Sequence, residues 1–340
     1  MRNSKIDLLR FIGLLMIILA HCSPDDSIIF QIRNFDVPLM VLISGISFKL
    51  SYKNNNNYFK YVWKRIKRLV FPVWIFLFFF FITTNFIFPN KFSSKQIITS
   101  FLLLSGIGYV WIIRVFLLVA LVAPLLFKMD KKITSNIRFF SILIVSLLLF
   151  ECLRINTYNY FQSNNYLKII SNILFYIIPY SLIYLLGIRI FNLQKDYIIK
   201  IFIICLVTFT YFGSVLFFNE NKFIPTQVYK YPSSTYYLSY ALSVSLFLWI
   251  YGDYIWTKLN DKIKQFTLFI ASHSIWIYLW HIPFIFIINT TDVNYFIEYL
   301  FVLFFAISIT FLQVYILEKY ILPNMSNLKI KKNLKTLFKG

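Results

Sequence analysis

"DLLRFIGLLMIILAHC", Asp7 to Cys22, is an apolar run with an arginine near one end and a histidine at the other. Ten apolar residues separate Arg10 from His21. At about 100° per residue, eleven steps bring the two side chains to within ~20° of one helix face, roughly 16 Å apart along the axis. Asp7 falls near the same face, one turn before Arg10, where it can pair with it. Arginine at the centre of a membrane helix costs ~2.5–3.5 kcal/mol, whereas near an end it snorkels to the interface. The plain reading of Arg10 is therefore a boundary anchor. A face shared with His21 favours a second reading, in which both line an internal cavity.

The rest of the chain says what surrounds such a helix. Of 340 residues, 59% are hydrophobic, 21% aromatic and only 14% charged. Soluble domains average nearer half apolar and a quarter charged, so the excess here must face lipid. A helix crossing a ~30 Å hydrocarbon core needs about 20 apolar residues. Ten segments suit that length: 6–22, 35–52, 67–88, 109–128, 137–153, 168–190, 198–218, 233–252, 266–288 and 295–318. The expected fold is an all-α, polytopic membrane helix bundle, with a transmembrane domain over 1–322 and a basic tail over 323–340. The segment 95–106 is too short to cross and is expected to lie at the surface or to re-enter. The run Asn54 to Asn57 reads as a polar loop.

Three cysteines, Cys22, Cys152 and Cys205, show no pair spacing, so neither a disulfide framework nor a metal cluster follows from them. With 8 glycines and no Gly-rich phosphate loop, a nucleotide-binding domain is not indicated. The net charge of +21 would suit nucleic acid, but its distribution gives another reason for it. Alternate loops, counted with the termini, hold 24 of the Lys and Arg residues in one set against 7 in the other. That is the positive-inside pattern, and it places both termini in the cytoplasm. No nucleic-acid partner is needed to account for the charge. The first span also resembles a signal peptide ending at a lipoprotein-type "ILAHC". His21 stands where a small residue is wanted, and Asp7 and Arg10 intrude on the apolar side.

There are three histidines. His273 lies early in the ninth span and His281 two turns later in "SHSIWIYLWHIP", at a depth similar to that of His21. Two imidazoles from separate helices at one depth can meet, and histidine is the usual proton-transfer group near neutral pH. A packed imidazole, hydrogen-bonded across helices, is the plainer reading of His281. Arg114 follows "YVWII" on the external side of the fourth span, where an isolated cation is costly. Asp36 and Glu151, external by this topology, are the carboxylates available to partner Arg114 or to orient His21. Glu318 is internal and balances the basic tail. Arg65 and Arg68, three apart, are neighbours on a helix. They suit either anchoring at anionic lipid or a cytoplasmic clamp on a phosphorylated donor.

Together these motifs resemble the integral-membrane acyltransferase family 3. Arg10 and His21 match its Arg, ten residues, His hallmark. "FDVPLMVLISG", ending at Ser44 and Gly45, matches the aromatic-rich stretch of its second span, although the usual Phe pair is missing. Arg65, Arg68 and Pro72 match an Arg-x-x-Arg pair followed by proline. "GYVWIIR" resembles the start of a later span, and "YLWHIP", Tyr278 to Pro283, resembles "YLxHxP". "VYKYPSSTYYLSY" resembles a Lys-Tyr-Pro-Pro stretch, with Ser233 replacing the second proline. Glu318 in "EKYILP" has a different spacing from the family's terminal Glu-x-Pro element. The resemblance covers essentially the whole chain. Some relatives append an extracytoplasmic hydrolase-like domain, and none is expected in this chain.

The resemblance implies a multi-pass protein of the bacterial inner membrane, with N- and C-termini inside. It would move an acyl group, usually acetyl from acetyl-CoA, to a sugar hydroxyl of a cell-surface or lipid-linked polysaccharide such as O-antigen or exopolysaccharide. The expected partners are the acyl-CoA donor, the glycan or lipid-linked sugar acceptor and membrane lipid, with no metal. Arg65, Arg68 and Arg10 would hold the donor's phosphates, and His21 would act as general base or transient acyl carrier. Arg114 or His281 would stabilise the developing oxyanion. Two other classes fit the composition. One is a secondary transporter or flippase, against which stands the lack of an internal repeat. The other is a non-catalytic partner in polysaccharide export, against which stands the presence of both histidine motifs.

Overall fold

The computed structural model describes residues 3–22, 28–52, 57–104, 106–288 and 293–339. Its helices run in the order α1 (Ser4–Cys22), α2 (Ile28–Ile32), α3 (Asp36–Ser51), α4 (Tyr58–Ile87), α5 (Ser94–Phe101), α6 (Trp111–Lys132) and α7 (Asn136–Ser163). There follow α8 (Asn165–Ile190), α9 (Lys195–Glu220), α10 (Thr235–Lys258), α11 (Asp261–Ser272), α12 (Ser274–Ile288), α13 (Tyr295–Ile316) and α14 (Leu328–Phe338). No strand occurs among the described residues. The protein is an all-α helix bundle.

Asparagine and serine start many of these helices by satisfying backbone N–H groups that have no intrahelical acceptor. Asn57 accepts from the N–H of Phe59 at 2.9 Å and begins α4. Asn164, Asn260, Asn294 and Asn327 do the same for α8, α11, α13 and α14. Ser93 and Gln96 form a capping box at α5, the short element expected over 95–106. Of the run expected to be a polar loop, Asn57 is thus a helix cap, and 54–56 lie outside the described residues.

Eight helices among the described residues are long and apolar enough to cross a membrane, and nine if the bent pair α11–α12 is one span. Two of the ten expected spans account for the difference. α1 forms as a 19-residue helix, but Lys5, Asp7 and Arg10 all lie within it. The segment 266–288 is not one rod, because α11 and α12 meet at a bend of 82°. His273 sits at that break, its Nδ1 2.7 Å from the carbonyl of Phe269.

The chain forms two compact units interleaved in sequence. The first comprises Met1–Gly13, Ile28–Asn56 and Leu118–Leu259, and is built on the packing of α3 against α8. A Cβ on Gly45 would meet the Tyr184 carbonyl oxygen at 2.3 Å, and one on Gly187 would meet that of Leu42 at 2.2 Å. Glycine at both positions lets the two backbones touch, the close approach that holds membrane helices together where lipid removes the hydrophobic drive. Gly45 of the "LISG" motif is thereby a packing residue.

Buried charge clusters secure both ends of α3 within this unit. At one end Asp36 receives Arg33 at 2.9 Å, Lys230 at 3.2 Å and the N–H of Val37 at 2.7 Å. At the other, Lys49 and Arg189 both reach Asp130 at 3.1 Å, and Arg189 also donates to the Ile133 carbonyl. Each carboxylate is shared by two cations, which offsets the cost of burying it.

The second unit comprises Leu14–Ser27, Asn57–Leu117 and Asn260–Gly340. Its frame is α12 packed on α13 and α4, with α14 laid along α4. The basic tail is partly tied down there. The Trp276 indole donates to the Leu337 carbonyl at 2.8 Å, and Lys339 pairs with Glu318 at 2.5 Å.

Candidate active site

Within the second unit, the last turn of α1 and the middle of α12 bring His21 and His281 together. His21 Nδ1 lies 2.8 Å from His281 Nε2, with the rings 14° from parallel. His281 is fully buried, and its Nδ1 contacts the backbone carbonyl of Tyr278. A carbonyl only accepts, so Nδ1 of His281 carries the proton in the neutral imidazole and Nε2 is the acceptor. His21 must then donate from Nδ1. The chain of donors fixes His21 as the tautomer whose Nε2 lone pair is its basic site.

Two tyrosines complete the wall around this pair. The Tyr109 ring stands edge-on to His21, with centroids 4.8 Å apart, and edge-on to His281 at 5.8 Å. Tyr109 precedes α6 in a loop. The Tyr278 hydroxyl donates to its backbone carbonyl and so sets the ring's position. Neither tyrosine was singled out by sequence reasoning. Both stood inside quoted motifs, "GYVWIIR" and "YLWHIP", but in a chain with 24 tyrosines nothing local separates a site ring from an interfacial one.

The other expected site residues fall in several places. Arg10 belongs to the first unit, where it reaches Asp7 Oδ1 at 3.3 Å and Ser47 Oγ at 3.1 Å. Ser47 lies on α3, two residues past Gly45. The expected Asp7–Arg10 pair is present, and the Arg10 side chain is about a quarter exposed. Arg114 is buried in the first turn of α6, in the second unit. Arg65 and Arg68 lie on α4 in the second unit, Arg65 over the Tyr61 ring at 5.1 Å and Arg68 exposed.

Asp36 and Glu151, the carboxylates expected on the external side, do not take the roles expected of them. Asp36 is held by Arg33 and Lys230, a cation pair that sequence reasoning counted only as loop charge. Glu151 pairs with Arg154 at 2.6 Å and accepts from the backbone N–H of Thr235 at 3.0 Å, at the start of α10. Their strongest partners lie in the first unit, so neither is the orienting group of His21 seen here. A backbone carbonyl and a second imidazole fill that role. Among the described residues no three His, Cys, Asp or Glu side chains gather in a metal-holding group.

Residues 3–317 match the family model described as "Acyltransferase domain". No curated protein and no solved structure matches the chain.

Proposed function

We propose a specific reaction from one premise: the chain belongs to acyltransferase family 3 and is a membrane acyltransferase. The reaction is O-acetylation, with acetyl-CoA supplied from the cytoplasm and a sugar hydroxyl of a cell-surface or lipid-linked polysaccharide as acceptor. The protein resides in the bacterial inner membrane with both termini inside. The observation that carries this reading is the 2.8 Å contact between His21 and His281.

In this mechanism His21 Nε2 takes the proton of the sugar hydroxyl as its oxygen attacks the thioester carbonyl. A C–O bond forms, the C–S bond breaks, and the proton on His21 passes to the departing thiolate. His281 cannot donate to the oxyanion while its one N–H faces the Tyr278 carbonyl and its Nε2 accepts from His21. It is a positioning residue, holding the His21 tautomer as the carboxylate does in a catalytic triad. Arg114, buried in the same unit as the histidines, supplies positive charge for the oxyanion. Arg65 and Arg68 offer planar forks that suit the donor's phosphate oxygens.

The test uses the purified chain in nanodiscs with radiolabelled acetyl-CoA and an oligosaccharide acceptor. Wild type is expected to transfer label, and His21→Ala, folded by thermal shift, to lose ~10²-fold or more of the rate. Undiminished transfer by that variant overturns the mechanism. In sealed vesicles, donor-independent passage of a labelled glycan across the bilayer, with no transfer, would instead identify a transporter.

A further inference from the structure

A cavity of about 400 Å³ lies in the second unit. Its wall is made by α4 from Ile75 to Ile87, by Phe88 and Lys91 in the connection that follows, by α12 from Trp276 to Ile287, and by Gln313 and Phe338. The ring contacts order it from end to end. At one end Phe76 meets Trp280 at 5.8 Å, and Trp276 stacks on Phe338 at 5.7 Å. In the middle Phe80 meets Phe286 at 5.8 Å. At the other end Lys91 Nζ sits 4.8 Å from the Phe88 ring centre and 5.1 Å from that of Phe286. Ile75 to Ile87 spans roughly 18 Å at 1.5 Å per residue, a little over one leaflet of a ~30 Å core.

The groove is open along its flank. Phe79, Ile87, Phe88 and Ile287 are each more than half exposed on helices that face lipid, so hydrocarbon rather than water is what fills it. Its inner end is finished by polar groups satisfied among themselves. The Trp280 indole donates to Gln313 at 2.8 Å, and Gln313 donates to the Phe338 carbonyl at 2.9 Å. That leaves Lys91 as the cation at the groove mouth, in a setting of aromatic rings that suits an anionic head group.

One contact links the groove to the chemistry. Phe286, which forms the groove's middle and touches Lys91, has its ring 5.9 Å from that of Tyr109, and Tyr109 abuts His21. An anion held at Lys91 would therefore carry its attached group toward the imidazoles. We propose that the groove binds the hydrocarbon chain of a single-chain polyprenyl phosphate, with Lys91 on its phosphate, so that the acceptor sugar arrives lipid-linked at His21. The same contacts choose the occupant: a phosphate at Lys91 whose attached group points at His21 is a sugar carrier, which a structural diacylglycerol phospholipid is not. This deepens the acetyl-transfer reading and rests on it for the identity of the sugar's role, although binding itself does not.

The experiment measures binding without any acyl donor. The full chain in detergent micelles is titrated with a long-chain polyprenyl phosphate, followed by native mass spectrometry and Trp fluorescence. Saturable binding is expected. Thr84→Trp, which fills the groove, should abolish it, and Lys91→Glu, at an exposed position, should weaken it about tenfold or more, both variants keeping the wild-type melting temperature. The neutral polyprenol should bind more weakly than its phosphate. Equal binding by wild type and Thr84→Trp, or full competition by phosphatidylglycerol, overturns the proposal and makes the groove an ordinary lipid site. Acetylation of a soluble oligosaccharide is scored separately with the same proteins. Wild type that transfers label without binding the polyprenyl phosphate sinks only the groove, and wild type that binds it without any transfer sinks only the acetylation reading.

Discussion

His21 Nδ1 lies 2.8 Å from His281 Nε2, and His281 in turn faces a carbonyl through Nδ1. In the proposed mechanism a buried imidazole thus does for His21 what a carboxylate does in other bases, without bringing a negative charge into the membrane. The arrangement costs less to bury than an ion pair and still fixes one tautomer.

His281→Ala should therefore keep donor and acceptor KM near wild type and lower kcat. Loss of His281 Nε2, the acceptor of the His21 Nδ1–H, frees His21 to adopt the other tautomer, with a rate loss between about tenfold and the ~10⁴-fold that a wrong tautomer causes. Steady-state kinetics in nanodiscs checks this. A higher KM with unchanged kcat would assign His281 to binding instead.

Tyr278→Phe removes the hydroxyl that holds the Tyr109 carbonyl. The loss of one hydrogen bond of this kind is worth ~0.5–1.5 kcal/mol. Activity should fall about tenfold or less, with little change in melting temperature. Tyr109→Phe, which keeps the ring, should be milder still, and Tyr109→Ala should be more severe than either.

Gly45→Ala places a methyl group 2.3 Å from the Tyr184 carbonyl oxygen, and Gly187→Ala places one 2.2 Å from that of Leu42. Both obstacles are backbone, which cannot swing aside. Each variant should lose ~1–3 kcal/mol of stability, seen as a lower melting temperature in detergent. The double variant should be less than additive, because the first substitution already parts α3 from α8. A wild-type melting temperature for either single variant would contradict the packing described.

Lys230, in the loop before α10, has its pKa lowered by burial to about 8 against an ordinary 10.5, despite the opposing pull of Asp36. Between about pH 8 and 10.5 the unfolded chain binds the proton that the folded chain has released. Stability from this one group therefore rises with pH across that window, and the burial cost is fully present below it. Melting temperatures measured from pH 7 to 9.5 should show wild type gaining relative to Lys230→Met. Asp36→Asn leaves Arg33 and Lys230 buried together and should cost ~3–5 kcal/mol at pH 7, with Lys230→Met in the same chain recovering part of it.

Much of the architecture was legible from composition, because a membrane span announces itself by length and apolarity alone. The limits of that reading appear at α1 and at the α11–α12 break. Three charges within α1 leave it helical but poorly suited to lipid on every side. The bend at His273 is made by capping geometry that hydropathy does not register. Depth was equally legible: spacing put His21 and His281 near one level, and the fold brings them into contact.

What sequence alone determined, then, is most of the spanning helices, the asymmetry of the basic residues between alternate connections and the few polar residues worth following. The partners of those residues were decided by tertiary structure: Asp36 went to Arg33 and Lys230, and the orienting group of His21 proved to be another histidine. The reason is physical. Lipid and a helix–helix interface are equally apolar, so the pattern of Phe, Ile and Leu along a span does not tell which face meets protein. Only packing, down to the two glycines where α3 and α8 touch, chooses that face and with it every neighbour.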